Sequence, residues 1–153
     1  MTCSRGAFMA RLSTMPDDGS SGVPITIAAG LYDKLLAEAR HAHPAECCGL
    51  LLGTGDAIAS ILPAANVAAD PLRHFEIDPA TLLGAHRAAR ADGPAVIGYY
   101  HSHPQGPARP SATDREHSTG DLRIWAIVAA GQVAFWRDTV KGFESVACRE
   151  ADG

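Results

Sequence analysis

The apolar positions along this chain follow two periods. Leu31, Leu35, Leu36 and Ala39 recur at three- and four-residue intervals, so Leu31 to His41 (LYDKLLAEARH) predicts a helix with one buried face. Pro44 closes that helical region. A second Ala- and Leu-rich helix is predicted over Pro79 to Ala91, with proline near its first turn and Gly93-Pro94 as its stop. Between and after the helices lie short apolar runs bounded by glycine, proline or asparagine, which predict strands. They are VPITI from Val23, CCGLLL from Cys47, AIASILP from Ala57, AVIGYY from Ala95, LRIWAIVA from Leu122 and QVAFW from Gln132. Pro24 suits an edge or a strand start. GTGD turns the second run into the third, and Ala130-Gly131 turns LRIWAIVA into QVAFW. Asn66 to Arg73 reads as a loop, Phe75 to Ile77 as a short strand and Phe143 to Cys148 as a final strand.

Hairpins mixed with a helical crossover predict an α/β fold, a mixed sheet with helices packed on its faces. A length of 153 residues without an internal repeat or interior linker suits one domain. That domain is expected over 23–149, with 150–153 as a tail. Residues 1–22, rich in Ser, Gly and Asp and holding Met9 and Met15, are expected to be a disordered lead or an over-extended start.

Composition narrows the function classes. Apolar residues make up 46% and charged residues 20%, as in ordinary globular chains, and no apolar run approaches the roughly 18 residues of a membrane span. A formal charge of −4 leaves no electrostatic footprint for nucleic acid. Neither nucleic acid nor membrane is therefore expected as a partner. The spacing of Cys3, Cys47, Cys48 and Cys148 gives no disulfide framework and no zinc knuckle. Cys47 and Cys48 read as small buried residues on opposite faces of a strand. A reducing, cytoplasmic compartment fits this cysteine usage.

The chemistry concentrates in VIGYYHSHPQGPARPSATDRE, from Val96 to Glu116. Residues two apart on a strand share a face, so His101 and His103 project to one side. Their spacing lets two imidazoles converge on one Zn²⁺. Pro104 ends the strand, and the proline-stiffened loop leads to Ser111 and Asp114. A carboxylate at Asp114 folds back as a third ligand and leaves a fourth position open, as in catalytic sites. Ser111 and Asp114 also spell a capping box at a helix start. Such a site needs a general base that is not a ligand, and Glu46, just before CCGLLLG, is the candidate. Ser111 is placed to stabilise a developing oxyanion.

Glu46, His101-Ser102-His103-Pro104, Ser111 and Asp114 together resemble the signature of the JAMM, or MPN-plus, metalloproteases: an upstream Glu followed by H-[S/T]-H-P, then S-x-x-D. The resemblance runs from about Ile25 to Cys148 and includes ECCGLLLG, FEIDP and VIGYYHSHP. It implies a cytidine-deaminase-like fold, with one Zn²⁺ per chain on His101, His103 and Asp114. It implies Glu46 as the acid and base of hydrolysis and Ser111 as the stabiliser of the tetrahedral intermediate. The chain looks like the small prokaryotic type. That type implies hydrolysis after the C-terminal glycines of a ubiquitin-like sulfur-carrier protein, or of its C-terminally extended form.

Other zinc classes fit less well. H-x-E with P-C-x-x-C, the deaminase signature, is absent, as is H-E-x-x-H. A DNA-repair-associated family carries H-N-H-P where this chain has Ser102. The non-enzymatic alternative is an MPN-type scaffold that binds a ubiquitin-like partner; such scaffolds usually lose ligands, and here every motif position is filled. Of the remaining residues, Trp125 and Trp136 read as core aromatics, and His117 lies on the Asp114 side of its short helix. Arg109 is the loop charge placed to meet a substrate carboxylate. Neither the oligomeric state nor the identity of the carrier follows from the sequence.

Overall fold

A computed structural model describes residues 23–151; the expected N-terminal lead lies outside them. The described elements are β1 (Ile25–Ile27), α1 (Leu31–Ala42), β2 (Cys48–Thr54), β3 (Ala57–Ala64), α2 (Pro79–Arg90), β4 (Ala95–Ser102), α3 (Ala112–Glu116), β5 (Ile124–Ala129), β6 (Gln132–Thr139), β7 (Gly142–Val146) and β8 (Cys148–Glu150). They form one mixed sheet in the order β7-β6-β5-β4-β2-β3-β1-β8. β2 runs antiparallel to both β3 and β4, and β4 runs parallel to β5. This is the mixed α/β domain with helices on the sheet that the pattern predicts.

Two corrections concern strands. Phe75 to Ile77 is not a strand: within it only Ile77 bridges, to Asn66. Asn66 instead ties this segment together through its side chain, which donates to the His74 carbonyl and accepts from the Glu76 amide. The final run from Phe143 to Cys148 is two strands. It divides at Ala147, so that β7 pairs with β6 while β8 pairs with β1. A single residue thus links the two ends of the sheet order, and the sheet curls until its ends meet. Pro24 takes the strand-start position rather than an edge, since β1 is flanked by β3 and β8 and the proline precedes the strand. Cys148 corrects a third point: it is disulfide-bonded, although the cysteine spacing reads as giving no disulfide framework, because pairing depends on which cysteines the fold brings together.

The period-two alternation sorts side chains between two cores. Leu51, Tyr100, Ile124, Ala126, Val128 and Phe135 join the face covered by α1, whose Leu31, Tyr32 and Leu35 are buried there. Leu50 and Val96 pack on the other face against Ala85 of α2. Tight strand contact requires a glycine at Gly98, where a Cβ would collide with the Ile124 carbonyl of the neighbouring strand. Cys47 belongs to the α1 core, whereas Cys48 pairs in register with His101. Both cysteine thiols are buried, as expected.

Candidate metal centre and its cleft

The site is assembled where β2, β4 and β5 lie side by side. β4 runs two residues past the apolar run and carries His101 and Ser102 inside the strand. The ladder continues through His103, whose amide donates to the Val128 carbonyl at 2.8 Å. His101 and His103 therefore share one face. Ser102 points the other way and serves the backbone of β2: its Oγ accepts from the Cys47 amide at 2.8 Å, and its own amide donates to the Cys47 carbonyl. This double link places Glu46 next to the histidine strand, although 55 residues separate it from His101.

The loop after Pro104 is held at two points. His103 Nδ1 lies 2.9 Å from the Pro107 carbonyl. A carbonyl only accepts, so Nδ1 is assigned the proton and Nε2 keeps its lone pair. Trp136 Nε1 donates to the Ala108 carbonyl at 3.3 Å. The loop delivers Ser111 as the N-cap of α3. Ser111 Oγ accepts from the Asp114 amide at 3.0 Å, and Asp114 Oδ2 accepts from the Ser111 amide at 2.9 Å. The capping box is thus real, and it aims the same carboxylate oxygen at the histidines.

His101 Nε2, His103 Nε2 and Asp114 Oδ2 form a nearly equilateral triangle with sides of 3.1, 3.1 and 3.2 Å. Ligand atoms on a tetrahedral ion with bonds of about 2.0–2.1 Å stand roughly 3.3–3.4 Å apart, so the donor set fits such an ion with little adjustment. In the neutral tautomer that the Pro107 contact favours, His103 Nε2 and Asp114 Oδ2 are both acceptors, and a shared proton or a metal cation between them satisfies the pair. All three side chains are buried. Burial holds the His101 imidazole below the usual histidine range, against the pull of Asp114. At His103 burial again opposes the charge, but hydrogen bonds to Asp114 and Pro107 outweigh it and raise the pKa. Burial likewise opposes ionisation of Asp114; the two imidazoles overcome it and hold the carboxyl far below its usual range.

Glu46 is only 7% exposed. Its amide donates to the Pro71 carbonyl, and its carbonyl accepts from Asn66 Nδ2. Burial raises its carboxyl pKa from 4.5 to about 7, with His103 pulling down and Asp114 pushing up. Glu46, His103 and Ser111 line one cleft of about 730 Å³, together with Arg73 and Arg109. The five residues singled out in the sequence thus converge.

Residues 28–139 match the family model described as prokaryotic homologs of the JAB domain. The chain belongs to that family. A desampylase from Haloferax volcanii is 39% identical over 109 residues, covering 67% of this chain and 78% of that relative. A probable TtuB-protein conjugate cleaving protease from Thermus thermophilus is 34% identical, over 63% of this chain and 64% of that protein, just under two thirds of its length. Among solved structures, a protein from Desulfitobacterium hafniense superposes with a TM-score of 0.73 at 28% identity, covering 84% of this chain and 94% of that one.

Three supports of this JAB-family site have roles that the sequence does not announce. Phe75 stacks on His101, with ring centroids 4.2 Å apart and an interplanar angle of 18°. Trp125, which reads only as a core aromatic, meets the same imidazole edge-on at 5.8 Å. Ser102 fixes Cys47, the neighbour of Glu46. A serine between two histidines and an aromatic in a predicted short strand do not announce such roles. His117, the C-cap of α3, lines a separate cleft with Phe75, Tyr99 and Trp125.

Proposed function

We propose that this chain is a zinc-dependent peptidase that hydrolyses the bond after the C-terminal glycines of a ubiquitin-like sulfur-carrier protein. In this reading His101, His103 and Asp114 hold the ion, Glu46 is the general base and acid, and Ser111 is the oxyanion donor. One observation carries the proposal: His103 of the three-atom ligand triangle and the buried Glu46 carboxylate, its pKa raised to about 7, line the same cleft. The names of the two curated relatives, a desampylase and a conjugate-cleaving protease, support the substrate class. An ion bound at the triangle supplies Lewis acidity, which polarises a carbonyl and brings the pKa of water toward neutral.

The remaining chemistry is that of the chain's own groups. Glu46, poised near neutral pH, accepts a proton from the attacking water and passes it to the departing amine. The water oxygen bonds to the acyl carbon, the C–N bond breaks, and a carboxylate and an amine leave. Among the described residues Ser111 Oγ accepts only from the Asp114 amide and donates to none, so its hydroxyl proton is available to the developing oxyanion. The Pro107 carbonyl keeps the proton on His103 Nδ1 and so keeps Nε2 directed at the triangle. Glycines before the scissile bond bring no side chains into a cleft whose reacting groups are buried.

The test uses the zinc-loaded full chain with purified ubiquitin-like carriers bearing C-terminal extensions, and weighs the products by mass spectrometry. A product ending in the two glycines, formed by the native chain and not by Glu46→Gln, is expected. Intact substrate after prolonged incubation with zinc-loaded protein would overturn the proposal in favour of a non-catalytic binding module.

A further inference from the structure

The cleft has a charge that the hydrolytic chemistry does not use. Arg109 is exposed, lines the same cavity as Glu46, His103 and Ser111, and makes no hydrogen bond or ion pair among the described residues. The other arginine lining the cleft, Arg73, stands 4.0 Å from the carboxylate of Asp70. Among the described residues Glu46 is the one acidic residue lining the cleft, and it is buried and, in the peptidase reading, occupied with proton transfer. An uncompensated arginine thus lines the same cleft as Glu46, His103 and Ser111, in a chain whose formal charge is −4. Its position is built rather than incidental. The Ala108 carbonyl before it is tied to Trp136, and Pro110 after it is buried. Proline on that side fixes the backbone direction. The next residue, Ser111, is locked into the α3 cap.

Carboxylate is the anion that a planar guanidinium receives best in a peptide substrate, through two parallel hydrogen bonds. Position along the tail decides which carboxylate arrives. When a single residue follows the scissile bond, its α-carboxylate carbon lies about 2.5 Å from the scissile nitrogen and enters the cleft with it. Each further residue moves the terminus about 3.4 Å away. A lysine side chain joined through its ε-amine brings no carboxylate near the bond.

Building on the peptidase reading above, we propose that Arg109 is a specificity-determining residue that receives the α-carboxylate of a single C-terminal amino acid, directing the enzyme to trim one residue from the carrier tail. Hydrolysis places the water oxygen on the glycine carbonyl and a proton on the amine of the released amino acid, which departs with its own carboxylate on Arg109.

The experiment compares two carrier tails that differ in one group. Both end Gly-Gly-Ala, one as the free acid and one as the C-terminal carboxamide, and kcat/KM is measured for the zinc-loaded native chain, Arg109→Ala and Arg109→Lys. The native chain is expected to favour the acid at least about tenfold, as a charged hydrogen bond allows. Arg109→Ala is expected to bring the ratio near one, mainly through KM for the acid, with Arg109→Lys between. Equal rates on acid and amide by the native chain, or an unchanged ratio in Arg109→Ala, overturn the carboxylate assignment and leave the peptidase reading standing. Cleavage of neither tail overturns both.

Discussion

The ring of Phe75 lies nearly parallel to that of His101, 4.2 Å away, from a segment that forms no strand of its own. His101 is fully buried and its Nδ1 has no hydrogen-bond partner among the described residues, so no hydrogen bond from them orients the ring at that nitrogen. Aromatic contacts do that work instead, with Phe75 on the face and Trp125 at the edge. Phe75→Ala is therefore expected to weaken metal binding about tenfold, at the lower end of the effect of losing an orienting partner around a metal ligand. Competition with a chromogenic zinc chelator measures this. Affinity equal to the native chain's would show that the strand alone fixes His101.

Glu46 gives a prediction in the metal-free protein that does not depend on turnover. Its carboxyl titrates at about 7 in the folded chain, against an ordinary value of 4.5. Between those values the folded state binds the proton and the unfolded state does not, so stability falls as pH rises through the window. Glu46→Gln removes this dependence. At pH 8 and with chelator present, the variant is expected to be more stable than the native chain by up to about 3 kcal/mol, with the difference vanishing near pH 4. Urea unfolding at several pH values checks the slope. With zinc restored, the same variant should keep the ion and lose about 10²–10⁴-fold in rate.

Much of this site is legible in the amino-acid sequence. The H-x-H spacing, the proline that ends the strand, and the Ser-to-Asp interval each have a local physical meaning, and local meanings survive folding. Glu46 reads as an acid at the mouth of an apolar strand, but nothing in the sequence says that this strand neighbours His101. That depends on the antiparallel pairing of β2 with β4, which sets Cys48 opposite His101. Phe75 reads as part of a strand because β-type residues in a short run look like one even when the backbone has one bridging partner. The Phe143 to Cys148 run reads as one strand because closure of a sheet is a property of both its ends. Ala147 carries no signal of it.

Ser102 supplies the link that the motif alone does not explain. Its hydroxyl accepts from the buried Cys47 amide at 2.8 Å. Ser102→Ala leaves that donor without a partner, which costs about 1–3 kcal/mol. Because Cys47 adjoins Glu46, the loss of stability should come with a lower kcat while zinc affinity is kept. Thermal unfolding and turnover on the same preparation test the pairing of effects. Ser102→Thr, which keeps the hydroxyl, should recover a large part of both. A stability loss without any change in kcat would confine Ser102 to holding the sheet.

Ser111 has two roles that one substitution cannot separate, so a pair of substitutions is needed. As N-cap it accepts from Asp114 and so helps hold the third ligand in place. As a hydroxyl in the cleft it is the proposed oxyanion donor. Ser111→Ala removes both and should cost about 0.5–2 kcal/mol of stability in addition to rate. Glycine at an N-cap costs only a few tenths of a kcal/mol, so Ser111→Gly keeps the start of α3 and deletes the hydroxyl. With zinc bound, Ser111→Gly is expected to lose about 10²–10³ in kcat while retaining near-native zinc affinity and unfolding temperature. If it instead retains its rate and loses zinc, the serine acts through Asp114, and the oxyanion must be met by another donor of the cleft.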